Sequence, residues 1–133
     1  MNEVPWTEAD IPDLSGRCSL ITGASSGIGL EAARALAARG ARVLLGCRSE
    51  QRADAALKEI GPKLKLGVYR LAIRREPHPV DSVTSLHFLR LARSLKLDVL
   101  HGHGAKAGAF VRMKGQSKKA IRVYTPHGGS LHY

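Results

Sequence analysis

Short, continuously apolar runs alternate along this chain with stretches in which apolar residues recur every three or four positions. Residues 17–22 form such a run, closed by Gly23. Beyond it, Ile28, Ala32, Ala35 and Leu36 share one helical face, with Ser25 or Ser26 placed to cap the start and Gly40 to end it. Residues 41–47 are a second run, apolar at successive positions as in a strand buried on both faces of a parallel sheet. Ala53, Ala56, Leu57 and Ile60 mark a second helix, stopped by Gly61 and Pro62. Residues 65–71 read as a third strand, Phe88, Leu91, Ala92 and Leu95 as a third helix, and residues 97–100 as a fourth strand. This alternation predicts an α/β fold with right-handed crossovers. The expected architecture is an incomplete doubly wound parallel sheet, a Rossmann-like half with strand order 3-2-1-4.

The rhythm stops at His101. Gly102, Gly104, Gly108, Gly115, Gly128 and Gly129 interrupt the remaining residues, of which only 109–113 and 120–124 read as short strands. No helix is expected there. The chain thus divides into a lead-in segment (1–16, with Pro5, Pro12 and Gly16), a Rossmann-like domain (17–100) and an irregular, disordered Gly/Lys/His-rich tail (101–133). With no fifth strand, the fourth would be an exposed parallel edge, a surface that favours self-association.

Composition sharpens this division. A chain of 133 residues with 44% hydrophobic content is one domain with a real core. Its net charge of +10 is unevenly spread. Residues 1–60 hold seven Lys and Arg against eight Asp and Glu, and residues 61–133 hold fourteen against three, with all six histidines. The basic excess therefore belongs to the second stretch, not to a nucleic-acid-binding fold as a whole. No run approaches the roughly twenty apolar residues of a membrane span. Acidic residues precede the first basic one, Arg17, which does not fit a secretory leader. Cys18 and Cys47 fall near opposite ends of parallel strands, beyond disulfide reach. Two reduced thiols and a cytoplasmic location are expected.

The densest chemical signal is Thr22-Gly23-Ala24-Ser25-Ser26-Gly27-Ile28-Gly29, set between an apolar run and a helix. Glycines at 23, 27 and 29 let a strand turn sharply into a helix and let backbone approach a ligand. The helix start presents free N–H groups and a positive dipole end to a diphosphate.

Thr-Gly-x-x-x-Gly-x-Gly in this setting resembles the short-chain dehydrogenase/reductase family. The lead-in residues 6–17 are similar to those of retinol-dehydrogenase-like reductases, and 97–100 to the strand that precedes Asn-Asn-Ala-Gly in the family. The resemblance covers roughly residues 6–100. It implies a cofactor site at Gly23, Ser25, Ser26, Gly27, Ile28 and Gly29, and an oxidoreductase acting on an alcohol or carbonyl. NAD users place a carboxylate after the second strand to hold the ribose 2′-hydroxyl. Here Cys47 takes that place and Arg48 follows, so the resemblance implies NADP(H) over NAD(H), with Arg48 pairing the 2′-phosphate. The alternative is an ordinary exposed arginine at a strand end.

Three departures bear on activity. Leu71-Ala72-Ile73 lacks the Asp that meets adenine, and His101-Gly102-His103-Gly104-Ala105 stands where Asn-Asn-Ala-Gly belongs. No Tyr-x-x-x-Lys occurs, since Tyr69 is followed at that offset by Ile73 and Tyr124 by Gly128. No residue is therefore assigned a catalytic role. The expectation is a truncated or frame-shifted product, with residues from about 101, and the stretch 72–79, out of the ancestral frame, that binds nucleotide and is catalytically impaired. A non-catalytic nucleotide-binding or regulatory remnant is the second reading. A basic nucleic-acid-binding protein using Lys106, Arg112, Lys114, Lys118, Lys119, Arg122 and Tyr124 is the weakest. No metal site is expected: His101 and His103 lack a neighbouring Cys or carboxylate and read as incidental histidines in a glycine-rich loop.

Overall fold

A computed structural model describes residues 4–60, 66–70, 79–113 and 119–126, with backbone only for 66–70 and Val80. Five strands form one parallel sheet: β1 (Cys18–Thr22), β2 (Arg42–Cys47), β3 (Leu66–Arg70), β4 (Val99–His103) and β5 (Ile121–Thr125), in the order β3-β2-β1-β4-β5. The first four follow the order expected from the sequence. Helices α1 (Gly27–Ala38), α2 (Glu50–Ile60), α3 (Val80–Ser94) and α4 (Ala105–Arg112) fill the crossovers.

Strand alternation sends the core to two sides. Ile21, Val43, Leu45 and Cys47 join Leu30, Ala33 and Ala37 of α1 and Ala53 and Ala56 of α2 in one cluster. Cys18, Leu20, Leu44 and Leu100 join Phe88 and Ala92 of α3 and Phe110 and Val111 of α4 in the other. All five positions of β1 are buried, the polar Ser19 and Thr22 included, because it sits mid-sheet with helices on both faces. Both cysteines are buried and free.

Asp98 ties the sheet together just before β4. Its carboxylate accepts from the Cys18 N–H at 2.8 Å and from Arg17 Nη1 at 3.1 Å, and its own N–H and C=O pair with Cys18 and Ile121. The hydrogen bond from Cys18, aided by Arg17, holds the Asp98 carboxyl below its ordinary range. The lead-in is clasped to α1: Arg34 bridges Glu8 and Glu31, and Arg39 donates to the Glu8 and Ala9 carbonyls.

Four expectations are corrected. The buried face of α1 is Gly29, Leu30, Ala33 and Ala37 rather than one led by Ile28, which is 59% exposed, because the packing of Gly29 on the preceding turn fixes the helix rotation. The fourth strand does not stop at Leu100 but runs through His103, so both histidines lie on a strand and not in a loop. Residues 109–113, expected as a strand, fall mainly within α4, a helix where none was expected; an eight-residue helix with two glycines in reach has little periodic signal. The sheet edge is therefore β5, built from the expected 120–124 run, and not β4. Residues 61–65, 71–78, 114–118 and 127–133 lie outside the described residues. With them lie the helix stop at Gly61 and Pro62, the adenine position near 71–73, most of the stretch 72–79, and Lys114, Gly115, Lys118, Gly128 and Gly129.

Candidate functional site

The chain order β1, β2, β3 runs outward on one side, then crosses back so that β4 flanks β1 on the other. Between the carboxyl ends of β1 and β4 the strand order reverses, and such a switch point opens a crevice. The turn after β1 enters it. Gly23 and Gly27 adopt φ of +64° and +56°, left-handed values that a side chain would resist. Gly29 is needed for a different reason: a Cβ there would press into the Gly23 carbonyl and lie 3.2 Å from the Ala24 Cα. Helix and strand meet backbone to backbone at this point.

Ser26 holds the N-cap position of α1 in an extended conformation (φ −165°, ψ 166°), yet its hydroxyl makes no capping hydrogen bond. The first turn after it therefore has no hydroxyl cap, with Gly27 and Ile28 exposed and Gly29 buried, while Ser26 O accepts from Leu30 N at 3.4 Å. Gly23, Ser26, Gly27 and Ile28 are exposed, and Ser25 is half-buried. The expected site residues of the turn are therefore brought together on one rim.

The end of β2 borders the same rim. Cys47 is buried against the turn, where burial raises its thiol pKa although contacts with Ser25 and the Ala24 backbone oppose the shift. Gly46 O accepts from Gly23 N at 2.9 Å and locks the two strand ends together. Arg48 follows at the surface, and α2 begins two residues later.

On the other wall stand the two histidines. The His103 N–H donates to Thr22 Oγ1 at 3.0 Å, and its Cβ would sit 3.2 Å from any Cβ added to Gly23. Its ring stacks on His101 with centroids 4.1 Å apart, and His101 Nε2 lies 2.8 Å from Thr125 Oγ1. Reading the fourth strand as ending at Leu100 hid this wall; the i, i+2 spacing of the histidines was the signal that could have found it. Among the described residues no group of three His, Cys, Asp or Glu could hold a metal ion. Arg112, one of the tail's basic residues, lies over Tyr124 at 5.3 Å from the ring centroid rather than in the crevice. Among the described residues, no helix is long and apolar enough to cross a membrane.

Comparisons with known proteins fall into two groups. The chain is 36% identical over 101 residues to a short chain dehydrogenase/reductase of Gibberella zeae, covering 71% of this chain and 28% of that protein. A solved short chain dehydrogenase/reductase family protein superposes with a TM-score of 0.53 at 31% identity, covering 68% of this chain and 34% of the other. The Pseudomonas aeruginosa RhlG/NADP active-site complex superposes with a TM-score of 0.50 at 26% identity, covering 67% and 34%. Separately, the model of a family described as a glycosyl transferase 4-like domain matches residues 23–133. The chain spans under a third of the length of the curated relatives it matches over most of its own.

Proposed function

The chain belongs to the short-chain dehydrogenase/reductase family by its relatives and solved neighbours, and to the glycosyl transferase 4-like domain family by the model matching residues 23–133; from the first membership we propose that its crevice holds NADP(H) in preference to NAD(H). The observation that carries this is the first turn of α1, which has no side-chain cap and follows directly on β1 at the β1–β4 switch point. In this reading the diphosphate rests on the backbone around Gly23, Ser25, Ser26, Gly27, Ile28 and Gly29. Positive φ at Gly23 and Gly27 supports the fit, since it turns the backbone without side chains in the way.

The 2′-phosphate falls to Arg48. Cys47, a neutral buried thiol, stands where a carboxylate would repel that phosphate, and the exposed guanidinium next to it can meet it with paired N–H donors. When bound, the coenzyme supplies or accepts a hydride, and the family's substrates imply an alcohol or carbonyl partner. This chain's own residues bind and orient it. With no Tyr-x-x-x-Lys in the sequence, the chain by itself turns over no substrate in this reading. A cytoplasmic location is part of the same proposal.

Fluorescence titration with NADPH and NADH tests it. Saturable uptake of NADPH is expected, and Arg48→Asp should weaken NADPH by about tenfold or more while leaving NADH nearly unchanged, because only NADPH carries the extra phosphate. Equal losses for both coenzymes would remove Arg48 from the site.

The glycosyl transferase match favours a second reading, in which the same amides hold the diphosphate of a nucleoside diphosphate donor. Sequence relatives and structural neighbours agree on the dehydrogenase family, so the coenzyme reading stands first. Displacement of NADPH by uridine diphosphate at concentrations below the NADPH Kd would reverse that order.

A further inference from the structure

Resting on the coenzyme reading above, we propose that the stacked pair His101–His103 is a part of the coenzyme site itself, lending the anionic diphosphate one proton-dependent positive charge. His103 closes the crevice on the β4 side, with its N–H on Thr22 and its Cβ against Gly23, the first glycine of the phosphate-binding turn. Its ring lies against that of His101, tilted by 34° with centroids 4.1 Å apart, and His101 is anchored on β5 through Thr125. Imidazole is the side chain whose charge change lies closest to neutral pH, which makes the pair the proton-dependent element of this wall.

The charge is limited to one. Two imidazolium rings with centroids 4.1 Å apart would repel strongly, so the doubly charged pair is disfavoured. Neighbouring charges do not duplicate its function. On α4, Lys106 is paired with Asp81 of α3 at 2.9 Å, and Arg112 stacks over Tyr124 of β5. Arg122 and Tyr124 alternate on β5 with Thr125, so they fall on the opposite sheet face from the pair. From β1 the pair meets Thr22 and Gly23, neither ionisable, and from β2 the turn is backed by the Cys47 thiol, held protonated by burial. The first turn of α1 carries no acidic residue to cancel the added charge.

Protonating the pair stabilises a bound diphosphate, so coenzyme binding tightens as pH falls from 8 to 6. The 2′-phosphate of NADPH works the other way: it loses charge below about pH 6, which weakens its hold on Arg48. NADH has no such phosphate and is the clean probe.

Isothermal or fluorescence titration of the full chain with NADH and NADPH between pH 5.5 and 8 is the test. NADH affinity is expected to rise about three- to tenfold toward low pH, and His103→Gln and His101→Gln are each expected to flatten that dependence. Proton NMR of the wild-type histidines provides a readout that does not depend on either variant folding. By linkage, NADH should raise the apparent pKa of the pair's resonances. Saturable binding with an unchanged pH slope in both variants, or unmoved histidine resonances in the complex, overturns the proposal while leaving the coenzyme reading intact. Absence of saturable binding of either coenzyme at every pH overturns the coenzyme reading, and this proposal with it.

Discussion

At the scale of single residues, the crevice depends on two different demands for glycine. Gly23 is needed for its φ of +64° and for the room it leaves His103, and Gly29 because a side chain would collide with backbone rather than with something that can move. Gly29→Ala should therefore separate α1 from the turn, costing about 1–3 kcal/mol of stability and abolishing NADPH binding. Urea unfolding with a parallel coenzyme titration checks both. Asp98 makes a different kind of prediction. Its folded pKa lies below the ordinary carboxylate value of 3.8, chiefly because the Cys18 N–H donates to it. A depressed carboxyl contributes stability that is present above its unfolded pKa and lost as pH falls through the folded one. Asp98→Asn should therefore destabilise the chain by about 1 kcal/mol at pH 7 and by progressively less below pH 4, a modest figure for a partly exposed group. Thermal melts at pH 7 and pH 3.5 would show the difference between variant and wild type shrink; a constant gap would assign the cost to lost shape instead.

At the scale of elements, β4, α4 and β5 form a fourth strand–helix–strand unit where the sequence suggested an irregular tail. Its packing is tight: a Cβ on Gly108 would lie 2.5 Å from the Tyr124 ring, and one on Gly102 2.6 Å from Val111 Cγ2. Gly108→Val should drive α4 off β5, and protection of the Ile121 to Thr125 amides against hydrogen exchange should fall while β1 and β2 stay protected. Comparable exchange in variant and wild type would mean that the unit is not docked through this contact. The same glycines explain what could be read in advance. The β1–α1–β2–α2 segment announced itself because its helices keep a periodic apolar face and its strands hold short apolar runs (Leu20-Ile21 and Val43-Leu44-Leu45). Where α4 meets the sheet, Gly108 of α4 and Gly102 of β4 leave no room for a side chain and so no hydrophobic mark, and β4 itself ends in His101-Gly102-His103. The strand–turn–helix around Gly23, Gly27 and Gly29 was legible from residue type and spacing. The histidine wall was not, because its position depends on where β4 stops and on a Thr125 partner 24 residues away.

At the scale of the whole molecule, the two sheet faces are unequally covered. Register places Val99, His101 and His103 on the same face as Ile121, Val123 and Thr125, and the α1/α2 cluster includes no residue from β4 or β5. Ile121 is 64% and Val123 37% exposed there, on a strand that is also the sheet's edge. Parallel strands are stable mainly when both faces are buried, and an edge with exposed aliphatic residues is a template for further pairing. The association expected at a free edge is thus transferred from β4 to β5, the outer strand among the described residues, where exposed apolar area lies. Light scattering across a dilution series should show this chain self-associating, and Ile121→Lys, which puts a charge on the outer strand without touching either core cluster, should shift it toward monomer. A wild-type chain that stays monomeric at high concentration would mean that backbone pairing and exposed aliphatic surface at β5 are too weak to recruit a partner.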